Sequence, residues 1–478
     1  MSRVQLVSAS PGTVVRWQGF ENWPEGVRSH ATAPMDYAIV GLAGIIKWVW
    51  PTRGRLAGLG GETLDLAGAL ISPLLGLVLT LGAGLWAYGL RTKEGEGAAL
   101  WWSVPLLVAV SPPLVHATVL GRPDHQSLLV VLLGVVLGAE QRLQGVQRSV
   151  AWALAGGISF GAAVWVSMYE PLILGGIVLV SRLGMRRIPK KEQYCWWLGA
   201  VLLAGTGWLV DGIAVTLPQA GWADRLGRWG ATIGELQHLQ NWGDLQAGTG
   251  FLFWLAVPAL WLAGWRGRQQ TAFWWLALLL VSGGLTFWQI RWSPYCVLVF
   301  AGSLPWILGV ETVAWRQALV FTLSLFPVAR AWDQLVFQSP VLAQRHYMDR
   351  SEWIAARYCA QRMRSKTVEP FIAAWWLSPA LAYWSGQPAV AGSGHEGIAG
   401  IMDSARFFLS TTPQEAREIL EARCIAVIVA SDSLRVVENA SALLGRIPDG
   451  KPLAERLWQP DPGLQWGLEG ESNVTLFR

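Results

Sequence analysis

The stretch AGALISPLLGLVLTLGAGLWAYGL at residues 67–90 has no charged side chain and is long enough to cross a lipid bilayer as one helix. The whole chain shares this character, since 53% of its 478 residues are hydrophobic and 14% are charged. Soluble domains carry about 25% charged residues, so lipid is the expected solvent for much of this chain. The 31 tryptophans agree, because indole rings favour the boundary between membrane and water. Comparable apolar runs predict about ten spans, near residues 67–90, 99–120, 124–143, 150–168, 171–183, 195–217, 248–264, 271–290, 294–312 and 315–330.

The connections between these runs differ in charge. Basic residues gather in every second connection, most densely between residues 182 and 191, and the positive-inside rule makes that side cytoplasmic. An even number of spans then places the chain before residue 67 and the chain after residue 330 on the outer side. Because the net charge of +5 clusters in such short loops rather than in a groove-like tract with aromatics, it does not indicate a nucleic-acid partner.

The two ends of the chain differ from its middle. The segment Asp36–Trp50 is apolar but short for a span, which predicts an interfacial or re-entrant helix. After residue 330 the sequence becomes more charged, with a strand-like run at Ile425–Ala430 and a helix-like run at Gln414–Ala422. We therefore predict an extracytoplasmic loop with an interfacial helix at 1–66, an all-α polytopic membrane domain at 67–330, and an extracytoplasmic α/β domain at 331–478.

Two patterns that often carry chemistry do not indicate it in this chain. The run Gly157–Gly161 matches the GxSxG nucleophile elbow but lies inside an apolar helix without a preceding strand, so we interpret it as close helix packing. The four cysteines form no CxxC motif. Cys359 and Cys424 can pair if their region is extracytoplasmic, or both can be buried free thiols.

Ionisable groups near membrane depth are candidates for function, and the predicted outer side collects several of them. The turn Gly121–Gln126 places Asp124 and His125 between two apolar runs. Such a pair can hold a divalent metal or polarise an acceptor. Asp124 can equally serve as the N-cap of the next helix.

Two further groups lie at later outer connections. Glu235 follows Thr232 and Ile233 in the loop 218–247, where it is either functional or a surface acid. Arg291 follows the outer end of an apolar run, where its guanidinium suits a phosphate or simply reaches the interface.

Two weaker candidates complete the set. Trp375 and Trp376 begin the soluble region and either line a pocket for a peptide or sugar or belong to its core. Glu170, in Met168–Pro171, is interpreted mainly as the end of a helix.

The order of these pieces resembles the catalytic subunit of the oligosaccharyltransferases, which are GT-C glycosyltransferases. Asp124-His125-Gln126 is similar to the second acidic motif of that family in its archaeal form. Thr232-Ile233-Gly234-Glu235 matches the outer-loop motif whose glutamate helps to hold metal and acceptor. Arg291 resembles the arginine that contacts the donor pyrophosphate, and Ala374-Trp375-Trp376 resembles the start of the Trp-Trp-Asp motif that reads the sequon hydroxyl.

The chain departs from this family in two places. Leu377 stands where the family has aspartate, and a leucine cannot accept a hydrogen bond from a serine or threonine hydroxyl. The first spanning helix and first acidic motif of the family have no counterpart here, and residues 1–66 look like the remainder of the first outer loop. We therefore expect the chain, as numbered, to lack part of its enzyme and to have impaired activity. A start assigned too late, a degenerate gene or a separately encoded partner would each explain this.

The resemblance implies a transferase that moves a glycan from a polyprenyl phosphate or pyrophosphate to an acceptor at the outer face of the cell (inner) membrane. It implies Asp124 and Glu235 as catalytic residues and, with His125, as ligands of Mg or Mn. It further implies that Arg291 binds the donor phosphate and that the acceptor, protein or glycan, is held by Thr232, Ile233, Trp375 and Trp376.

Two alternatives remain. The acceptor can be a hydroxyl of a protein, lipid or polysaccharide. The chain can also be a transporter or non-catalytic scaffold, although transporters place charges at the bilayer midplane and show paired halves, which this sequence does not. The expected partners under the enzyme interpretation are the polyprenyl-linked donor, the acceptor and membrane lipid, with no nucleic acid.

Overall fold

The computed structural model is mostly helical and divides into two compact units. The membrane unit comprises Ala31–Ile213 and Gln237–Gln338, and the sheet unit comprises Met1–His30, Ala214–Leu236 and Ser339–Arg478. The boundaries predicted at residues 66 and 330 concern the membrane and stay predictions. The structure describes residues 2–10, 12, 14–28, 33–50, 63–91, 100–144, 149–182, 189–212, 222–267, 270–338, 340–392, 394–458, 468–471 and 474–477.

The regular elements follow the order of the chain. The helices of its first part are α1 (Ser2–Ala9), α2 (Ala33–Val49), α3 (Thr63–Arg91), α4 (Ser103–Val110), α5 (Pro112–Ala117), α6 (His125–Gln144), α7 (Val150–Val166), α8 (Tyr169–Arg182) and α9 (Lys190–Asp211). The later helices are α10 (Trp222–Ala231), α11 (Trp242–Thr249), α12 (Leu252–Gly267), α13 (Gln270–Trp288), α14 (Ser293–Leu308), α15 (Ala314–Ser324), α16 (Phe326–Asp333), α17 (Pro340–Arg362), α18 (Ser378–Ser385), α19 (Ile398–Leu409), α20 (Pro413–Ala422), α21 (Ser433–Leu444) and α22 (Leu453–Trp458). The strands are β1 (Trp17–Gln18), β2 (Val27–Arg28), β3 (Phe371–Ile372), β4 (Val427–Ser431), β5 (Leu468–Glu471) and β6 (Val474–Phe477).

The apolar runs form helices, as predicted, but the number of spans is not settled by them. Among the described residues, α3, α6 and α13 are each long and apolar enough to cross a membrane, and α11 with α12 adds a fourth span if that pair, bent by 72°, counts as one. The count of ten stays a prediction. The run at 99–120 is broken at Ser111, because Pro112 cannot continue the backbone hydrogen bonds of α4.

Exposed apolar stripes on the helices show which faces meet lipid. On α3 and α9 the exposed large hydrophobic side chains recur every three or four residues, which places them on one face of each helix. In water such faces would be costly, whereas in lipid they are solvated. The exposed residues are Leu74, Leu77, Val78, Leu81 and Leu85 on α3, and Tyr194, Trp197, Leu198, Val201, Leu202, Trp208 and Leu209 on α9.

Helices α7 and α9 pack with their backbones close together. A Cβ at Gly157 would overlap the carbonyl oxygen of Trp196, and a Cβ at Gly161 would overlap that of Ala200. On the other helix, a Cβ at Gly199 would lie 2.9 Å from the backbone nitrogen of Ile158. Small residues at this crossing allow the close approach by which membrane helices associate. The GxSxG run is therefore a helix-packing surface.

The sheet unit contains a four-stranded mixed sheet in the order β3-β4-β6-β5. Strand β3 pairs in parallel with β4, and the remaining neighbours are antiparallel. Helix α20 begins after Thr412, whose hydroxyl accepts a hydrogen bond from the backbone of Glu415 (3.4 Å).

Three separate parts of the chain fold into the sheet unit. Near the N-terminus, Asn22 Oδ1 accepts from the backbone of Gly400 (2.9 Å), and Glu25 pairs with Arg423. From α10, Arg228 Nη1 donates to the carbonyl oxygen of Leu444 (2.9 Å). Parts of a chain that pack together lie on the same side of a membrane, so these three share one side. Which side this is stays a prediction.

The four cysteines are free thiols in the structure. Cys359 and Cys424 are not paired in the structure, and of the two thiols expected to be buried if unpaired, Cys359 is buried whereas Cys424 is exposed.

Candidate active site

The turn before α6 is fixed by hydrogen bonds from buried serines. Ser72 Oγ, on α3, donates to the carbonyl oxygen of Arg122 (2.6 Å), and Ser127 Oγ donates to that of Asp124 (2.7 Å). Gly121 enters the turn with a φ of +82°, a left-handed conformation that favours glycine. The chain thereby places Asp124 at the start of a predicted span.

Asp124 both caps α6 and carries a charged contact on each oxygen. Its Oδ1 accepts from the backbone of Gln126 (3.1 Å) and lies 3.0 Å from His125 Nδ1, while Oδ2 lies 3.2 Å from Arg122 Nη2. These partners fix the position of the Asp124 carboxylate at the start of α6.

A second charged pair lies where α8 begins. Glu170 is completely buried and accepts from Arg291 Nη2, while its other oxygen accepts from Ser167 Oγ (2.6 Å). The guanidinium of Arg291 also lies over the ring of Tyr169, 5.4 Å from its centroid. Burial of this kind requires that each charge has a partner, and each supplies the other.

Several polar groups around Arg291 have no partner among the described residues. They are Arg291 Nε itself, Gln289 Oε1 and Trp292 Nε1, all buried. Buried donors and acceptors are nearly always paired, so these three groups are candidates for contact with water or a polar ligand.

The two pairs belong to one region of the membrane unit. His125, the first residue of α6, contacts Asp124, and α6 packs against α14, which begins two residues after Arg291. Helix α8, which carries Glu170, packs against α13, which ends three residues before Arg291. We call Asp124, His125, Glu170 and Arg291 the charged cluster. It joins parts of the chain that are far apart in sequence, and it can bind a charged group through a guanidinium, a carboxylate and an imidazole.

Glu170 is the member of this cluster that sequence reasoning undervalued. It was interpreted as a helix end, and it does lie in the first turn of α8. Its partner is 121 residues away, so no local pattern reveals the pair. The sequence did offer one indication of this pair. Glu170 and Arg291 both lie at predicted outer ends of apolar runs, so a carboxylate and a guanidinium were expected on the same side.

The outer-loop motif lies in the sheet unit. Thr232 Oγ1 donates to the carbonyl oxygen of Trp229 (2.7 Å) at the end of α10, and Glu235 follows in a short 3-10 turn, Gly234–Leu236. Ile233 packs against the same hydrophobic cluster as Trp375. The structure thus brings two of the residues expected to bind the acceptor to one cluster.

The two tryptophans point to different surroundings. Both follow the carboxyl end of β3, with ring planes 88° apart. Trp375 packs near Trp229 (centroids 6.3 Å apart), whereas Arg435 stacks on Trp376 (4.8 Å) and Glu352 accepts from its indole (3.5 Å).

Metal ligation is supported only in part by the described residues. No group of three or more histidine, cysteine, aspartate or glutamate side chains gathers there. Asp124 supplies one carboxylate, and an ion such as Mg²⁺ takes one or two carboxylates and completes its shell with water and substrate phosphate. Glu235 belongs to the sheet unit, and its role as a ligand stays a proposal from the sequence.

Comparisons with known proteins identify the fold. No family model and no curated protein matches the sequence. The oligosaccharyltransferase of Archaeoglobus fulgidus, tethered to an acceptor peptide with the NVT sequon, matches with a TM-score of 0.65 and 15% identity over 99% of this chain and 68% of that one. The same organism's AglB, with an inhibitory peptide and a dolichol-phosphate, gives 0.61 at 16% identity over 95% and 67%. The chain has the GT-C fold.

A second kind of GT-C protein has a similar structure. ArnT from Cupriavidus metallidurans, bound to undecaprenyl phosphate, matches with a TM-score of 0.51 and 13% identity over 99% of this chain and 92% of that one. The resemblance drawn from the order of motifs is thus confirmed at the level of the GT-C fold.

Proposed function

We propose that this chain is a membrane glycosyltransferase that moves a glycan from a polyprenyl phosphate or pyrophosphate to an acceptor at the outer face of the cell membrane. The observation that carries the proposal is the charged cluster within a GT-C fold. Arg291 presents a buried Nε there that has no partner among the described residues. Two similar structures hold a dolichol-phosphate and an undecaprenyl phosphate, and both ligands are polyprenyl phosphates.

The chemistry requires that negative charge on the leaving phosphate be stabilised as the glycosidic bond breaks. Arg291 is suited to this, since a guanidinium grips phosphate oxygens through two parallel hydrogen bonds. A bound divalent cation, with Asp124 and His125 among its proposed ligands, would neutralise further charge on the phosphate. Glu235 is proposed as a further ligand and catalytic carboxylate from the sequence resemblance.

The acceptor is proposed to bind the sheet unit, with Thr232, Ile233, Trp375 and Trp376 contributing. Leu377, at the position expected to read a sequon hydroxyl, is fully buried in the core beneath the sheet. Because that position offers no hydrogen-bond acceptor, we propose an acceptor other than a sequon asparagine. A hydroxyl on a lipid, polysaccharide or protein is the alternative that this observation favours.

The proposal is tested by turnover in membranes. Membranes that contain the protein are incubated with the lipid fraction of the same cells, and the free polyprenyl phosphate or pyrophosphate released is measured by mass spectrometry. We expect release with the wild type and little with Arg291→Ala or Asp124→Asn. Arg316→Ala, which removes an exposed arginine of the same unit, is the control and should leave release unchanged. Equal release from all four proteins would contradict the proposal.

A further inference from the structure

The carboxylate that binds Arg291 is itself fixed in position. Glu170 is completely buried, and both of its oxygens accept hydrogen bonds, one from Arg291 Nη2 and one from Ser167 Oγ. It lies in the first turn of α8, where the helix N-terminus favours a negative charge. A group fixed from three directions can hold its partner in one orientation.

The N–H groups of Arg291 that do not bind Glu170 determine what kind of ligand the guanidinium can bind in this orientation. With Nη2 on Glu170, the buried Nε is left without an acceptor among the residues that the structure describes. The ring of Tyr169 lies 5.4 Å from the guanidinium carbon and covers part of one face. The side chain is thus held at one end while its Nε–H stays available for an oxyanion.

We propose that Glu170 is a positioning residue that aims the guanidinium of Arg291 at the phosphate of the donor. The proposal rests on the proposed function. It assigns no contact with substrate to Glu170, which acts only through Arg291. The competing possibility is a latch, in which Glu170 blocks Arg291 until the donor displaces it. Full burial and the second hydrogen bond from Ser167 favour positioning over displacement.

Substitutions at two positions separate these possibilities. Glu170→Ala releases Nη2, and a misplaced binding group typically costs about tenfold or more in affinity or rate. Glu170→Gln keeps a carbonyl oxygen for Nη2, and its amide can donate to Ser167 Oγ, so donor affinity should stay within about threefold of the wild type. Ser167→Ala loosens Glu170 without removing it and should give a smaller loss in the same direction.

The measurement is the binding of polyprenyl pyrophosphate, without a glycan, to the full chain in lipid nanodiscs by native mass spectrometry. Glu311→Ala, which breaks an exposed ion pair with Arg316 in the same unit, is the matched control. The melting temperature of each variant is recorded so that affinity is compared between folded proteins. Ser167→Ala keeps the ion pair and serves if Glu170→Ala fails to fold.

The outcomes are distinct. Loss with Arg291→Ala and Glu170→Ala, a smaller loss with Ser167→Ala and retention with Glu170→Gln support positioning. Loss with Arg291→Ala but none with Glu170→Ala and Ser167→Ala overturns it and leaves the proposed function standing. Tighter binding by Glu170→Ala or Ser167→Ala overturns it in favour of a latch. If the wild type binds no polyprenyl pyrophosphate, the proposed function itself fails.

Discussion

Arg291 is held by Glu170 through Nη2 and lies over the ring of Tyr169, while its Nε meets no acceptor among the described residues. The sequence predicted Arg291 and Asp124 individually, because a charge at the end of an apolar run is conspicuous. It could not predict that Glu170 holds Arg291, since that pairing depends on how α8 and the turn at Ile290–Trp292 meet in the folded unit. Residue types were therefore predictable, whereas their pairing required the structure.

The geometry of the guanidinium leads to the first prediction. Arg291→Lys keeps the positive charge but loses the planar fork, so phosphate is no longer gripped through two parallel bonds. We expect release of the polyprenyl product to fall by about 10²-fold, the usual cost of losing a donor to developing charge. Arg316→Lys is the control. Release within twofold of the wild type would show that charge alone is enough at this position.

The second prediction concerns Glu352 in the sheet unit. Burial raises its pKa above the usual range although Arg435 and Trp376 lower it, and Asp349 and Asp432 add to the rise. The folded protein thus binds this proton more tightly than the unfolded chain does. The tighter binding of this proton stabilises the folded protein below the pKa of Glu352 in the unfolded chain, about 4.3. That stability is lost as pH rises through the pKa of Glu352 in the folded protein.

Glu352→Gln cannot ionise and should therefore lose less stability than the wild type as pH rises through that window. Thermal unfolding of the purified protein in detergent, recorded over a pH series, measures the difference. The exposed Glu418→Gln is the control. A wild type and a Glu352→Gln variant with parallel pH profiles would show that this carboxyl has no such effect.

At the level of elements, hydrophobic patterning predicted helices well and their interruptions poorly. The apolar runs are largely helical where the structure describes them, but some are interrupted, and the run at 99–120 contains two helices that meet at Ser111. Ser111 Oγ donates to the carbonyl oxygen of Gly248 (2.6 Å), a tertiary contact that composition does not reveal. Gly157–Gly161 was predicted to serve close helix packing, because small residues at that spacing allow backbones to approach, whereas the partner helix α9 was not predicted.

This helix packing gives the third prediction. Gly157→Ala should destabilise the protein by about 1–3 kcal/mol, since a Cβ there would overlap the backbone of Trp196 and force the helices apart. Gly205→Ala on α9 is a matched control, because nothing lies within 4 Å of its Cβ. Thermal unfolding in detergent micelles measures both. Equal melting temperatures for the two variants would mean that the α7–α9 contact does not limit stability.

At the level of the whole molecule, the N-terminal segment, α10 and the C-terminal region fold into one sheet unit. Counting spans predicted that these parts lie on the same side, and their packing agrees. The sequence could not show how they combine, because Asn22 and Gly400 are neighbours only through the tertiary fold.

The fourth prediction tests the side of the membrane. Cys424 is exposed in the sheet unit, whereas Cys296 and Cys359 are buried. A membrane-impermeant maleimide added to intact spheroplasts should therefore label the protein at Cys424, and Cys424→Ser should abolish that signal. Labelling at this residue only after the membrane is permeabilised would place the sheet unit in the cytoplasm and contradict the proposed outer-face reaction.

The central claim is that the charged cluster supports transfer of a glycan from its polyprenyl carrier to an acceptor. The amount of lipid-linked glycan in the cell tests this claim directly. The measurement is the amount of polyprenyl-linked glycan, by mass spectrometry of lipid extracts, in cells that lack the gene and in the same cells carrying the wild type or Arg291→Ala. We predict that the lipid-linked glycan accumulates without the gene, returns to its normal amount with the wild type, and stays high with Arg291→Ala. An unchanged amount in all of these cells, with the protein present in the membrane, would contradict the account.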